Sequence, residues 1–239
     1  MPKLNVNIDL VARLRELRKT PYPDLIVAAR IVERAGASGI TVHLRHDRRH
    51  IQDTDLPALR KAVTTRLNLE MANTPEMIAI ALKVKPDIVT LVPESPGEVT
   101  TQGGLNIVAN EKPLHETTAV LKAAGIHVSF FIDPELDQIE ASARCAAQSV
   151  ELCTARYSEA KLAQQQYAEF EKVATATRYA ASTGLKVNVG HGLDYQNTAM
   201  LATLTEIEDF NTGHAIIIRA LFDGLQKAVA DMAKLVKGK

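Results

Sequence analysis

Eight short strand-like stretches, each running into a segment of helical character, follow one another along this chain at a spacing of very roughly 30 residues, the size of one strand–helix unit. The spacing predicts strands at residues 4–9, 39–45, 66–70, 87–92, 127–133, 149–154, 186–190 and 207–211. It predicts helices near 24–35, 54–65, 74–84, 114–124, 134–147, 163–182, 197–204 and 214–235, while 10–21 reads as a polar stretch carrying Arg13, Arg15 and Arg18. Thr74-Pro75-Glu76 is a cap followed by a first-turn proline, and Gly36, Gly125 and Gly184 stand where helices should stop. Alternating strands and helices imply a parallel sheet with helical crossovers. Eight units favour closure, so the expected fold is one (β/α)8 TIM barrel domain over residues 1–239 with additional helices. No GxGxxG or GxxxxGK(S/T) follows any strand, which argues against a dinucleotide or nucleoside-triphosphate fold.

Charge narrows the partners. The 28 basic and 28 acidic residues cancel, so no bulk charge draws the chain to nucleic acid or to a membrane surface. Tryptophan is absent and Phe and Tyr number five each, too few for a base-stacking surface. Neither a signal pattern nor a bilayer-length apolar run occurs, and Cys145 and Cys153 show no disulfide or metal-ligand spacing. The expectation is a soluble, reduced, cytoplasmic protein without membrane or nucleic-acid partners.

In barrels of this kind the working residues sit at the C-terminal strand ends and in the loops beyond them. Here those positions carry Asn7 and Asp9, His43 and Arg45, Glu70, Glu151, Asn188 and His191, and the segment 211–214. A barrel interior is normally filled by Val, Ile and Leu, and burying so many polar groups costs free energy unless each is paired. Their concentration on one strand parity therefore points to a single functional mouth. His43, His191 and Glu70 form a candidate acid–base set, since imidazole titrates near neutrality. Arg45, with His50 nearby, suits anionic oxygens; Arg48 and Arg49 read as solvated or salt-bridged charges, and His46 has no assigned role. Gly190-His191-Gly192 and Gly213-His214 lie after strands seven and eight, where such barrels commonly bind phosphate on backbone N–H groups.

No lysine ends a strand, so an imine would need an amine from substrate. No His-x-His or HExxH arrangement points to a metal, and no cofactor is expected. The connection 93–110, with Thr100, Thr101 and a glycine pair, reads as a loop that closes over substrate.

Several of these motifs together resemble the pyridoxine 5′-phosphate synthase family. They are Val6-Asn7-Ile8-Asp9, the run 39–51, Asn68-Leu69-Glu70-Met71-Ala72, Leu91-Val92-Pro93-Glu94 with 98–105, 184–193 and Asn211-Thr212-Gly213-His214-Ala215-Ile216. The resemblance implies a transferase-type octamer, a tetramer of dimers, that condenses 3-amino-2-oxopropyl phosphate with 1-deoxy-D-xylulose 5-phosphate. The products would be pyridoxine 5′-phosphate, phosphate and water. It further implies His43 and Glu70 as proton acceptors, His191 as proton donor and Glu151 as a transition-state stabiliser. Asn7, Arg18, Gly192, Gly213 and His214 would contact the amino-ketone phosphate, with Arg18 a candidate to reach a neighbouring subunit. Asp9, Arg45, His50 and Thr100 would contact the ketose phosphate.

Two positions depart from the family pattern. Leu10 stands where a histidine usually follows the aspartate, and Ala155-Arg156 where a glycine commonly follows Thr154. The alternatives weighed against a synthase are another phosphate-handling barrel, an isomerase or aldolase, and a binding protein for phosphorylated metabolites.

Overall fold

The computed structural model describes residues 1–94 and 103–238. Eight parallel strands close into a barrel in chain order: β1 (Lys3–Asn7), β2 (Gly39–His43), β3 (Leu67–Met71), β4 (Ile88–Leu91), β5 (His127–Ile132), β6 (Ser149–Cys153), β7 (Lys186–Gly190) and β8 (Ile207–Thr212). The expected eighth strand is present and pairs with β1, placing Asn5 opposite Asn211. Register also sets His43 beside Glu70 and Glu151 beside Asn188.

The outer layer holds α1 (Asp9–Arg18), α2 (Leu25–Arg34), α3 (Asp55–Ala62), α4 (Pro75–Val84), α5 (Glu111–Ala123), α6 (Leu136–Arg144), α7 (Ala155–Glu159), α8 (Ala163–Ser182), α9 (Thr198–Leu201), α10 (His214–Asp223) and α11 (Leu225–Val236). Asp24 caps α2 by accepting from the backbone of Ile26 and Val27, and Thr74 caps α4 by accepting from Met77.

Three elements differ from the sequence expectation. The polar stretch after β1 is helix α1. Its apolar signal is weak because only Val11 and Ala12 are buried, while Leu14 and Leu17 face outward. The last helix is two, broken at Gly224, whose φ of 79° ends α10 before α11 packs on α2 and β1. Thr154 leads into the short helix α7. The loop expected at 93–110 falls partly outside the described residues. Of the parts described, 93–94 and 103–110, the latter passes the end of β5, with Leu105 N donating to Phe131 O at 2.7 Å, and then meets α6, where Ile107 N donates to Gln138 Oε1 at 2.7 Å.

The two faces of the sheet are unlike. Leu4, Val6, Ile40, Val42, Leu67, Leu69, Val128, Phe130, Val187 and Val189 are buried together in the large apolar cluster with the helices. The opposite parity points into the barrel and is polar. There Asn5 Nδ2 donates to Asn211 Oδ1 (3.0 Å), Thr90 Oγ1 to Asn68 Oδ1 (2.9 Å), and Arg66 makes a two-pronged pair with Asp209 (2.8 and 2.9 Å). Pairing of this kind is what lets polar groups remain in a closed interior.

Candidate active site

The inward parity opens at the C-terminal strand ends into a cavity of about 1170 Å³. Its first wall comes from β1. Asn7 Nδ2 donates to Asp9 Oδ2 (2.8 Å) and the Asp9 backbone N–H donates back to Asn7 Oδ1 (2.9 Å). Asp9 Oδ1 accepts from the backbone N–H of His43 (2.9 Å), so one carboxylate pins the exits of β1 and β2 together.

His43 ends β2 between two carboxyls. Its Nε2 lies 2.8 Å from Glu94 Oε1, and its Nδ1 lies 4.0 Å from Glu70 Oε2, beyond a direct hydrogen bond. Glu94 Oε2 also meets His46 Nδ1 (2.6 Å) and the His46 backbone N–H (3.1 Å). Burial opposes ionisation of Glu94, whose side chain is 4% exposed, yet the His43 and His46 hydrogen bonds outweigh it and bring the carboxyl down to about 2. Glu70 moves the other way. Burial, then the nearby Glu151 and Asp9, push its carboxyl well above the usual range.

Glu151 on β6 faces this pair across the barrel. It is buried and accepts a short hydrogen bond from Asn211 Nδ2. Burial raises its pKa to about 7 against the opposing effect of Asn211. Gly190 is the space Glu151 occupies: a Cβ there would stand 2.0 Å from Glu151 Oε1. Glu70 thus shares one low-dielectric mouth with Glu151 and Asp9, whose charges oppose its ionisation.

The other rim comes from β7 and β8. His191 has φ of 81°, a conformation that side chains other than glycine rarely adopt, and its carbonyl accepts from Thr154 Oγ1 (2.7 Å). Burial lowers its pKa, so the imidazole is biased toward neutrality, beside the Phe131 ring at 6.2 Å between centroids. Gly192 follows at φ 79° against Ser158 of α7. Gly213 must lack a side chain because a Cβ would come within 2.9 Å of Asn7 Cβ and 3.0 Å of Asn7 O. His214 then opens α10, whose first backbone N–H groups face the mouth with the positive end of the helix dipole.

The expected site residues mostly converge. Asn7, Asp9, His43, Arg45, His50 and Glu70 line the cavity together with Glu151, His191, Gly192, Gly213 and His214. Arg45 is buried, its Nε 3.5 Å from Asp47 Oδ1. His50 Nδ1 accepts from Ile51 N (3.0 Å), which leaves the ring proton on Nε2, and burial lowers its pKa. Arg48 pairs with Asp53 and Glu76, and Arg49 with Asp47. Arg18 does not join this mouth; it is exposed at the far end of α1. Thr100 lies outside the described residues. Leu10 lines the cavity as an apolar side chain beside Asp9.

Asp9, His43 and Glu70 bring three potential ligand atoms within 4.8 Å of one another, although the raised Glu70 carboxyl is a poor ligand until it ionises. Glu94 was missed as a site residue from sequence because Pro93 interrupts strand parity just before it. A carboxylate right after a strand exit was the available signal.

A family model described as pyridoxal phosphate biosynthesis protein PdxJ matches residues 4–238. The chain is 52% identical to pyridoxine 5′-phosphate synthase of Aliivibrio fischeri over 98% of its own length and 97% of the relative's. It is 51% identical to the protein of the same name from Geobacter sulfurreducens over 99% of each. Among solved structures, orotidine 5′-monophosphate decarboxylase from Methanocaldococcus jannaschii superposes with a TM-score of 0.67 over 99% of each chain at 12% identity, a likeness of fold alone.

Proposed function

The chain belongs to the PdxJ family of pyridoxal phosphate biosynthesis proteins, and from that premise we propose that its mouth closes the pyridine ring of pyridoxine 5′-phosphate from two phosphorylated substrates. The activity is that of a pyridoxine 5′-phosphate synthase, the name carried by relatives about half identical over the full length. The amine substrate is 3-amino-2-oxopropyl phosphate and the ketose is 1-deoxy-D-xylulose 5-phosphate. The observation that carries this assignment of roles is the meeting of His43, Glu70, Glu151 and His191 in one cavity, with Arg45 and His50 on one rim and Gly192, Gly213 and His214 on the other.

The substrate amine supplies the imine nitrogen, so the protein's task is to move protons and hold phosphates. The His43 imidazole and the carboxyl of Glu70, 4.0 Å apart at Nδ1 and Oε2, both line the cavity and act as the proton acceptors. Burial and the neighbouring Glu151 and Asp9 disfavour the ionised form of Glu70 in the empty mouth; an arriving ammonium favours it and readies the carboxyl. His191 is the donor: the neutral ring gains a proton as a phosphate dianion settles beside it. Glu151 stabilises positive charge that develops on the condensing nitrogen. The α10 N-terminus with Gly192, Gly213, His214 and Asn7 holds the amino-ketone phosphate, and Arg45, His50 and Asp9 hold the ketose. Thr100 belongs to that second group. No cofactor enters this scheme.

The exposed apolar side chains Leu14 and Leu17 on α1 and Ile218, Leu221 and Phe222 on the neighbouring α10 support self-association, in the family pattern of an octamer. Arg18 at the end of the same strip then reaches a neighbouring subunit's phosphate. Among the described residues no helix is long and apolar enough to cross a membrane, and a cytoplasmic location accords with this reading. Incubating the purified protein with both substrates should yield pyridoxine 5′-phosphate and inorganic phosphate, and His43→Ala should abolish the product. Binding without product would favour a metabolite-binding protein instead.

A further inference from the structure

Glu94 stands outside the catalytic set assigned above, yet both of its carboxylate oxygens are engaged by residues at the exit of β2, His43 and His46. The geometry points to Glu94 as a positioning residue that fixes the tautomer of His43, keeping the ring proton on Nε2 so that Nδ1 faces substrate with its lone pair free.

An ionised carboxylate only accepts hydrogen bonds. Glu94 is ionised and its side chain nearly buried, so every contact it makes must be donated to it. At Oε1 the donor is His43 Nε2–H, at 2.8 Å. At Oε2 the donors are His46 Nδ1–H, at 2.6 Å, and the His46 backbone N–H, at 3.1 Å. The second of these decides the matter, because a backbone amide cannot exchange donor for acceptor. It commits Oε2 to His46 and leaves Oε1 for His43. With Nε2–H committed to Glu94, the tautomer so selected leaves Nδ1 bare toward Glu70, 4.0 Å away. Asp9 completes the hold from the other side by accepting from the His43 backbone. A carboxylate behind a histidine base, selecting its tautomer and stabilising the imidazolium formed in turnover, parallels the Asp–His pair of the serine protease triad with the two ring nitrogens exchanged.

This inference rests on reading His43 as a proton acceptor, and its test separates the two. In Glu94→Gln the His46 backbone N–H still demands an acceptor, so the amide oxygen turns to His46 and the amide NH2 to His43. Nε2 must then accept, and the ring proton moves to Nδ1. Nitrogen-15 spectra of imidazole-labelled, full-length protein, with His43 identified by its loss in His43→Ala, should show a protonated Nε2 in the wild type and a protonated Nδ1 in Glu94→Gln. With both substrates, kcat should fall on the order of 10²- to 10⁴-fold while KM changes by less than about threefold. Glu94→Asp, which keeps an acceptor-only group, should retain the wild-type tautomer and recover part of kcat, and it carries the test if Glu94→Gln does not fold. An unchanged His43 tautomer in Glu94→Gln, or a loss confined to KM, overturns the inference. Full turnover by His43→Ala would instead remove the base role and leave the tautomer result standing.

Discussion

The most exposed quantitative consequence of this site is the stability of Glu151→Gln against pH. Glu151 is 3% exposed and its carboxyl titrates near 7 in the fold, whereas an unfolded glutamate titrates near 4.5. A folded pKa above the unfolded one means that the contribution is fully present below the unfolded value and is lost as pH rises through the folded one. The window is therefore pH 4.5 to 7. A difference of about 2.5 pKa units corresponds to roughly 3 kcal/mol over the full window, of which about 2.5 kcal/mol falls between pH 5 and pH 8. Glutamine has nearly the same shape, its Oε1 still accepts from Asn211, and it cannot ionise. At pH 5 the variant and the wild type should be close in stability. At pH 8 the variant should be more stable by about 2 kcal/mol, or roughly 4–8 °C in melting temperature for a chain of this size. Removing the Glu151 charge also relieves Glu70, whose carboxyl Glu151 helps to raise, which adds to the gain at high pH. Melting both proteins at equal concentration across pH 5–8 measures the difference. Parallel curves, with no divergence as pH rises, would show that Glu151 ionises at its ordinary value and refute the shared-mouth electrostatics.

Other perturbations separate catalysis from architecture. Gly190→Ala places a Cβ 2.0 Å from Glu151 Oε1, the movable end of a side chain, so activity should fall at least 100-fold in a steady-state assay, while calorimetry records a loss of about 1–3 kcal/mol. Arg66→Met strips both hydrogen bonds from Asp209, 4% exposed, at the base of the barrel; denaturant unfolding should show a loss of about 3–5 kcal/mol, toward the lower figure because Arg66 is partly solvated. Phe222→Glu, at a side chain 86% exposed, should leave the fold intact and reduce the assembly seen by light scattering; an unchanged particle mass would move the interface elsewhere.

Sequence patterning reached far into this molecule because a barrel's two parities carry different chemistry. Outward residues such as Ile40, Val42 and Leu44 alternate with Thr41, His43 and Arg45, so strand, face and mouth can be read from one run. Most of the expected positions, loop-borne and strand-borne alike, line one cavity from Asn7 to His214, while Arg18 stands apart at the end of α1. What periodicity hid has physical causes. Helix α1 turns Leu14 and Leu17 outward, which removes the apolar stripe that identifies a buried helix. Gly224 interrupts what reads as one helix. Glu94 earns its place through bonds to residues 48 and 51 positions away, and no local pattern encodes such pairing.

The division between an apolar shell outside the sheet and a polar interior also has a consequence for how such a protein can change. Its apolar burial lies mainly between strands and helices, away from the inner parity. The inner parity is instead a linked set of donors and acceptors, in which Arg66 serves Asp209 and Asn5, Asn5 serves Asn211, and Asn211 serves Glu151. A volume-conserving swap in the shell is tolerated by repacking neighbours at a modest cost. A change in the chain of amides leaves an unmatched partner one step closer to the reacting atoms, so these positions should vary in concert while the shell varies freely.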